Sequence, residues 1–346
     1  MVRRAETPNI AGMTSPETTV ATRPTRRRPA SSIERAAIEP CVTERAGMER
    51  AAYVPDFRGP LRSPECADPV PANHALVLLV YDGSEHAIRD AVQDAMTKAM
   101  ANAVEAGTHL FAPHVLGANA MKPDGIPAAF ARLLARHRPA GVVLMPPLSA
   151  REDLADLCLR AQARCLRVGA QPGLSCDERG GAALVVRRLV TLGHTRIGLV
   201  AGPESSAGAR QRELGYLDAM AELGLDRGPA LIVPGDNSFE SGIAAGRLLL
   251  EISPRPTAIL ACNDEMAAGV LHAAAQDDVP VPQALSVVGF DDTSLAHRLL
   301  PPLASVHVPW NRIGEEAAKW ILAESSASLE PFEPHLMERA SLGPIG

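Results

Sequence analysis

The chain has 346 residues and a formal net charge of −6, with 46% hydrophobic, 21% charged and 3% aromatic residues. This length and composition predict ordinary hydrophobic cores in more than one domain and exclude a fibrous or wholly disordered chain. The low aromatic content argues against a surface that stacks nucleic-acid bases. The sequence contains neither the ~20 consecutive apolar residues of a membrane helix nor the apolar core of a signal peptide, so we expect a cytoplasmic protein.

Charge and cysteine usage narrow the function classes further. Residues 1–70 contain eleven Lys or Arg and nine Asp or Glu, a net charge of +2, whereas the rest of the chain contains 23 basic and 31 acidic residues, a net charge of −8. The acidic part is therefore not expected to be a DNA-binding surface itself. The six cysteines show no metal-ligand spacing, which predicts reduced, mostly buried thiols, no metal site and no cofactor.

From residue 75 onwards, apolar strand-like runs alternate with helical periodicity, which predicts a parallel, doubly wound α/β fold. The predicted strands are Ala75–Tyr81, His109–His114, Gly141–Met145, Leu166–Val168, Arg196–Val200, Leu231–Val233, Ala258–Ala261 and Leu285–Val288. The predicted helices are Ile88–Glu105, Ile126–His137, Glu152–Arg164, Asp177–Leu192, Ala209–Leu223, Phe239–Leu250 and Met266–Gln276. Two sheets of this size would form two Rossmann-like halves that face a cleft.

Polar pairs follow two of the predicted strands. Ala258–Ala261 is followed by Asn263 and Asp264, and Leu285–Val288 is followed by Asp291 and Asp292. Open α/β sheets bind ligands at the carboxyl ends of their strands, so these pairs are candidate ligand contacts. The alternative is that each carboxylate only caps the helix that follows it.

Four segments in this order resemble the effector-binding core of the LacI/GalR, or lactose-repressor, family of transcriptional regulators. They are LVTLGHTRIGLVAGP at 189–203, RQRELGYLDAMAELGL at 210–225, AILACNDEMAAGVL at 258–271 and VPQALSVVGFDDTSLAHRLLPPLASVHVP at 281–309. The resemblance extends more weakly over 75–174 and is poor before residue 70.

This resemblance implies two parallel-sheet subdomains of the periplasmic-binding-protein type I fold, preceded by an irregular amino-terminal segment. The expected amino-terminal subdomain comprises 75–171 with 306–322, and the expected carboxy-terminal subdomain comprises 172–303 with 326–346. Three chain crossings between them are expected near 171–175, 304–309 and 322–330. Residues 1–70 are expected to be a degenerate or disordered helix-turn-helix and hinge region.

Three polar side chains match the family's effector contacts in the carboxy-terminal subdomain. Arg212 matches an arginine that forks onto ligand oxygens, Asp291 a carboxylate that accepts bonds from sugar hydroxyls, and Asn263 an amide at the neighbouring strand end. Such a set offers donors and acceptors to a neutral sugar without a metal. The alternative for Arg212 is a solvent-facing helical arginine. Asp264 and Asp292 are predicted to cap helices.

Further contacts are expected around the cleft. Trp310 matches the family's aromatic on a third wall, where an indole covers the apolar face of a sugar; a core or hinge tryptophan is the alternative. Asn237 stands where some relatives have another aromatic, so that wall is expected to lack one. Ser84 follows the first predicted strand and is a candidate contact from the amino-terminal half.

The family carries its helix-turn-helix and hinge helix at the amino terminus. Thr19 resembles the start of the recognition helix, Tyr53 the end of the headpiece, and Leu61 with Arg62 the hinge segment whose leucine enters the minor groove. The spacing before Thr19 is about two residues longer than the family's pattern, and Pro60 disfavours a hinge helix that starts earlier. We therefore expect weak operator binding from this segment.

The resemblance implies a ligand-responsive transcriptional regulator, a repressor, that binds a small sugar-like effector, forms a homodimer and controls operator binding. An enzyme is not expected, because no dinucleotide fingerprint, nucleophile elbow or zinc-protease motif occurs. Two alternatives remain: a bilobed solute-binding protein, and a sensor without specific DNA binding. We also expect Arg212→Ala and Asp291→Ala to abolish the effector response without disturbing the fold.

Overall fold

The structure is a computed structural model that describes residues 75–83, 86–116, 125–322 and 330–345. All of them belong to the compact unit Pro64–Gly346. The predictions for the amino-terminal segment, including Thr19, Tyr53, Leu61 and Arg62, lie outside the described residues, and so does the prediction for Ser84.

The amino-terminal lobe is built on a four-stranded parallel sheet of order β2-β1-β3-β4. Its elements are β1 (Ala75–Tyr81), α1 (His86–Glu105), β2 (His109–Val115), α2 (Gly125–His137), β3 (Gly141–Leu144), α3 (Glu152–Arg160) and β4 (Arg164–Arg167). Side chains alternate across β1, so Leu78 faces a core with α2 and α3, whereas Leu79 faces the core that contains Val92 of α1. Burial on both faces explains why β1 and β3 read as continuous apolar runs.

The carboxy-terminal lobe is built on a six-stranded sheet of order β10-β9-β8-β7-β5-β6. Its elements are α4 (Glu178–Thr191), β5 (Ile197–Ala201), α5 (Ala207–Glu222), β6 (Ile232–Pro234), α6 (Phe239–Glu251), β7 (Ala258–Ala261), α7 (Asp264–Gln276), β8 (Ser286–Asp291), β9 (Ala304–His307) and β10 (His335–Met337). The described pairings are parallel except that between β10 and β9. The predicted α/β class with two parallel-sheet subdomains is confirmed.

The last helix belongs to the other lobe. α8 (Trp310–Leu322) follows β9 in the chain, yet a Cβ at Gly314 would touch Val92 of α1, and one at Gly141 of β3 would touch Ile321. Since β9 pairs with β8, the chain leaves the carboxy-terminal sheet after His307. The family resemblance placed the start of this excursion at 306.

One helix ends earlier than its sequence predicts. Glu152–Arg164 was expected to be helical throughout, but α3 ends at Arg160 and β4 begins at Arg164. Gln162 has a φ of 57°, and Ala163 N–H donates to Cys158 O at 3.0 Å. The left-handed residue and this hydrogen bond form the Schellman motif that ends a helix. Its left-handed position is usually occupied by glycine and less often by another residue.

Among the described residues, no helix is long and apolar enough to cross a bilayer.

Candidate functional site

The two lobes enclose a cleft of about 670 Å³. Its carboxy-terminal wall is formed where β7 and β8 end and where α5, α6 and α7 begin, the position at which open α/β sheets bind ligands. Its amino-terminal wall includes Asp82 after β1, Ser149 in the turn after β3 and Gly169 after β4. The cleft therefore receives residues from both halves of the chain, as predicted.

Arg212 lies at the floor of this cleft and is 7% exposed. Ser206 caps α5 through the N–H of Ala209, which places Arg212 in the second turn, facing inwards. Its Nε–H donates to Glu178 Oε2 at 2.8 Å and its Nη2–H to Asp291 Oδ1 at 2.9 Å. The predicted inward position of Arg212 is observed, and the solvent-facing alternative is wrong.

The rest of the guanidinium is also fixed. Nη1 donates to the carbonyl of Cys262 and approaches Asp291 Oδ2 at 3.4 Å. The guanidinium carbon lies 4.0 Å from the centre of the Phe290 ring. These contacts account for four of the five N–H groups of an arginine, so one Nη2 hydrogen has no partner among the described residues.

The charges in the cleft are strongly coupled. Burial disfavours the charged form of Arg212, but the carboxylates of Asp291 and Glu178 outweigh this effect and raise its pKa. Burial also raises the pKa of Asp291, against the opposing effect of Arg212. Among the described residues that line the cleft, Arg212 is the only cation, whereas the acidic ones are Asp82, Glu178, Asp236, Glu240, Asp264, Glu265 and Asp291. The cleft is therefore acidic around one buried arginine.

Asn263 lines the cleft but has a structural task as well. Its Oδ1 accepts from Met266 N–H at 2.8 Å and its Nδ2–H donates to Asn237 O at 3.0 Å. Asn263 is thus the N-cap of α7, and the prediction that Asp264 caps this helix is wrong. The helix begins at Asp264, two residues before the predicted start at Met266, so the capping position is Asn263.

Asp264 instead links the start of α7 to the turn after β8 and to β9. Its Oδ2 accepts from the N–H and hydroxyl of Thr293 at 2.6 and 2.9 Å, and its Oδ1 accepts from the Ser305 hydroxyl at 2.6 Å. Burial and the charge of Asp291 raise the pKa of Asp264 to about 7, although the three donors oppose this shift. The carboxyl therefore titrates near neutrality beside the buried ion cluster.

Asp291 and Asp292 point to different partners. Both have positive φ, 93° and 53°, which aspartate tolerates better than most residues. Asp292 accepts from Arg339 Nη2 at 2.6 Å and lies 3.0 Å from His307 Nδ1. The prediction that Asp292 caps a helix is therefore wrong, because the residues after it form a turn. Its role is to tie the carboxy-terminal tail to β8.

Two aromatic side chains line the cleft. Trp310, at the start of α8, is 7% exposed, and its buried Nε1–H has no hydrogen-bond partner within the described part of the chain. Asn237 also lines the cleft, and so does Phe239 two residues later. The expectation that this wall lacks an aromatic is therefore wrong, since Phe239 supplies one.

Sequence reasoning missed Glu178. This residue is 6% exposed and directly follows the N-cap Asp177 of α4, where a glutamate usually interacts only with the helix dipole. Its bond to Arg212 spans 34 residues of chain. The pattern around Glu178 carries no signal for such a contact.

The titration of Asp264 predicts a pH effect on stability. A carboxyl whose pKa is raised by folding stabilises the native state fully below its unfolded pKa of 3.8, and this stabilisation is lost as the pH rises to about 7. Asp264→Asn removes the titration, so the wild type should lose stability relative to the variant by roughly 2–3 kcal/mol from about pH 5 to about pH 8. Urea unfolding of both proteins across this range measures the difference.

The comparison with Asp264→Asn separates the pH effect of Asp264 on stability from that of histidines. Burial lowers the pKa of His194, so His194 contributes stability that is lost as the pH falls, which is the opposite sign. This contribution is present in both proteins and cancels. A constant difference between them would show that Asp264 is ionised throughout.

Residues 186–342 match the family model of the periplasmic binding protein-like domain. The chain is 34% identical over 170 residues to the HTH-type transcriptional regulator CelR of Thermobifida fusca, covering 48% of this chain and 50% of CelR. It is 38% identical over 166 residues to the ribose operon repressor of Escherichia coli K12, covering 46% of this chain and 50% of the repressor. The matched region thus spans about half the length of these curated relatives.

A solved structure has the same architecture. The structure of the transcriptional regulator CelR in complex with cellobiose superimposes with a TM-score of 0.67 at 26% sequence identity, covering 79% of this chain and 86% of that one. A regulatory protein of the LacI family from Chloroflexus aggregans superimposes with a TM-score of 0.67 at 28% identity, covering 78% and 98% of the two chains.

Proposed function

From the homology of its core to the LacI family of transcriptional regulators, we propose that this protein is a ligand-responsive transcriptional regulator. Its interlobe cleft binds a small, neutral, sugar-like effector, and effector binding controls the affinity for operator DNA. The observation that carries this proposal is the buried cluster of Arg212, Asp291 and Glu178 at the floor of the cleft.

The chemistry of the cleft favours a polyhydroxylated ligand. Carboxylates such as Asp291 accept bonds from sugar hydroxyls, and the remaining N–H of Arg212 and the unpartnered Nε1–H of Trp310 donate to sugar oxygens. The faces of Trp310 and Phe239 suit the apolar side of a sugar ring. The excess of carboxylates in the cleft disfavours a phosphorylated or carboxylated effector by like-charge repulsion.

The proposed regulation is a population shift between open and closed lobes. A ligand that contacts Arg212 in one lobe and Ser149 or Gly169 in the other binds the closed form better, and only this difference in affinity shifts the equilibrium. In a homodimer, closure would change the spacing of two amino-terminal DNA-binding segments over a palindromic operator.

Tryptophan fluorescence tests the effector site directly. The chain has two tryptophans: Trp310 lines the cleft, whereas Trp320 packs beneath Arg164 at 4.3 Å. We would titrate the protein with ribose and cellobiose, the sugars named for the similar proteins, and with their phosphorylated forms. A saturable change that persists in Trp320→Phe and disappears in Trp310→Phe supports the proposal. Tighter binding of a phosphorylated sugar would contradict it.

Asp291→Asn should lower effector affinity by roughly 5- to 150-fold, because it removes acceptor capacity that hydroxyl donors need, an effect of about 1–3 kcal/mol. Asparagine is the least disruptive replacement at a φ of 93°. Calorimetric titration with the sugar that binds the wild type measures the loss. Asp277→Asn, an exposed position of the same lobe, is the matched control. Equal affinity of both variants would remove Asp291 from the site.

A sensor without specific DNA binding is the second candidate, favoured by the irregular spacing around Thr19 and Leu61. Selection of binding sites from random DNA duplexes by the full-length protein separates the two. A palindromic site bound at about 10⁻⁸ M or better supports the operator-binding regulator. Binding of only about 10⁻⁴–10⁻⁶ M without sequence preference supports the second candidate.

A further inference from the structure

Two cysteines lie together in the amino-terminal lobe, away from the cleft. Cys158 is in the last turn of α3, and Cys165 is the second residue of β4. Cys158 is fully buried in the core beneath α2 and α3, and the partly exposed Cys165 packs against the same core. Since β4 is an edge strand of its sheet, Cys165 can be reached from solvent.

The end of α3 explains this proximity. The Schellman turn at Gln162, with Ala163 N–H bonded to Cys158 O at 3.0 Å, reverses the chain directly into β4. Ala163 lies beside Cys158, as residues in these two positions of the turn usually do. Cys165, two residues further along an extended strand, faces the same side. The two thiols therefore lie on the same side of the turn, against one core.

The two sulfurs differ in reactivity. The neighbouring Cys158 thiol and the charge of Arg167 lower the pKa of Cys165, although burial opposes them. The neighbouring Cys165 thiol and burial raise the pKa of Cys158. Burial raises the pKa of Cys176 and of Cys262 to about 12. A thiolate is the nucleophilic form of cysteine, so Cys165 is the reactive member of the pair.

We propose that Cys158 and Cys165 form a peroxide-sensitive dithiol site, with Cys165 as the attacking thiol and Cys158 as the resolving thiol. This oxidation site lies outside the proposed effector cleft. The Cys165 thiolate attacks one oxygen of a hydroperoxide; the O–O bond breaks, and the product is a sulfenic acid plus the alcohol, or water when the oxidant is hydrogen peroxide. The Cys158 sulfur then displaces the sulfenic oxygen as water, with loss of its proton, and a disulfide forms.

The disulfide would restrain two segments that reach the cleft. α3 follows the turn that contains Ser149, and β4 leads to Gly169, and both of these residues line the cleft. Arg167 already connects these segments by donating from Nε to Ser149 O at 2.5 Å. A covalent link between α3 and β4 therefore holds the amino-terminal wall of the cleft in one arrangement.

Peptide mapping of the full-length protein tests the proposal. The protein is treated with hydrogen peroxide, free thiols are alkylated, and trypsin, which cleaves after Arg and Lys, separates the two cysteines into the peptides Glu152–Arg160 and Cys165–Arg167. We expect these peptides to be joined by a disulfide that a reductant cleaves. Loss of free thiol should be at least about tenfold faster at Cys165 than at the buried control Cys262.

Two variants assign the roles. In Cys158→Ser, the sulfenic acid at Cys165 has no resolving partner and should be trapped by dimedone. In Cys165→Ser, Cys158 should stay reduced, and thermal unfolding of both variants checks that each is folded. The proposal is overturned if Cys165 and Cys262 lose their thiols at the same rate. A disulfide from Cys165 to a second copy of the chain would also overturn it.

Discussion

Arg212→Ala is expected to lower the free energy of unfolding by about 3–5 kcal/mol at neutral pH, because it leaves buried carboxylates without their cation. Asp291 and Glu178 both bond to this guanidinium, and their side chains are 4% and 7% exposed. Urea unfolding of the full-length protein measures the loss. The buried ion pairs thus revise the expectation from the sequence that this substitution would leave the fold undisturbed.

The pH dependence of the stability of Arg212→Ala provides a further check of this prediction. Burial raises the pKa of Asp291 and Arg212 opposes this effect, so without the guanidinium the Asp291 carboxyl should take up a proton more readily in the folded state. The variant should therefore be most destabilised at high pH and recover as the pH falls. Arg210→Ala, at an exposed position two residues earlier on α5, should change stability by less than about 0.5 kcal/mol. An equal effect of the two substitutions would mean that the ion cluster contributes nothing.

Gly269→Ala is expected to destabilise the protein by about 1–3 kcal/mol or more through overpacking. A Cβ at Gly269 of α7 would overlap the carbonyl of Phe239 and lie 2.6 Å from Ile243 N, both in α6. These backbone atoms cannot move without separating the helices. Helix α6 begins with Phe239 and α7 begins directly after Asn263, and both residues line the cleft. Because the helices would be displaced, effector affinity should also fall. Thermal unfolding and calorimetric titration measure the two effects.

Gly246→Ala is the matched control for this helix pair. A Cβ at Gly246 would lie 3.1 Å from Val270 Cα and 3.2 Å from Ala273 Cβ, a tight but not overlapping fit. The gain in helix propensity, up to about 1 kcal/mol, offsets this contact. Its stability should therefore stay within about 1 kcal/mol of the wild type. A larger loss from Gly246→Ala than from Gly269→Ala would contradict the close approach of the two helices.

Several parts of the fold could be read directly from the residues. Ala258–Ala261 and Leu285–Val288 are short apolar runs followed by polar residues, and they were found in the buried parallel strands β7 and β8. Local periodicity was sufficient here because a strand buried on both faces must be apolar throughout. The predicted helix boundaries were less accurate than the predicted strands. Whether Asn263 or Asp264 caps α7, and whether the chain turns at Gln162, each depends on a single residue.

The candidate site was only partly readable in this way. Arg212, Asp291, Asn263, Trp310 and Asn237 line the cleft together, and the matching segments of a known family identified them. Glu178 and Phe239 were missed, because each looks like an ordinary residue in the first turn of its helix. The roles of Asp264 and Asp292 were also wrong, since a carboxylate after a strand can cap a helix or bond to a distant strand with the same local sequence.

The sequence by itself therefore determined the alternation of strands and helices, the two-sheet class and the strand ends at which the cleft is formed. These features follow from the spacing of apolar and polar residues along the chain. Only the tertiary structure decided that Arg212 is enclosed by Glu178 and Asp291, and that Cys158 and Cys165 lie against one core. Such contacts join residues that are separate in the sequence, and their energies depend on burial, which the three-dimensional fold creates.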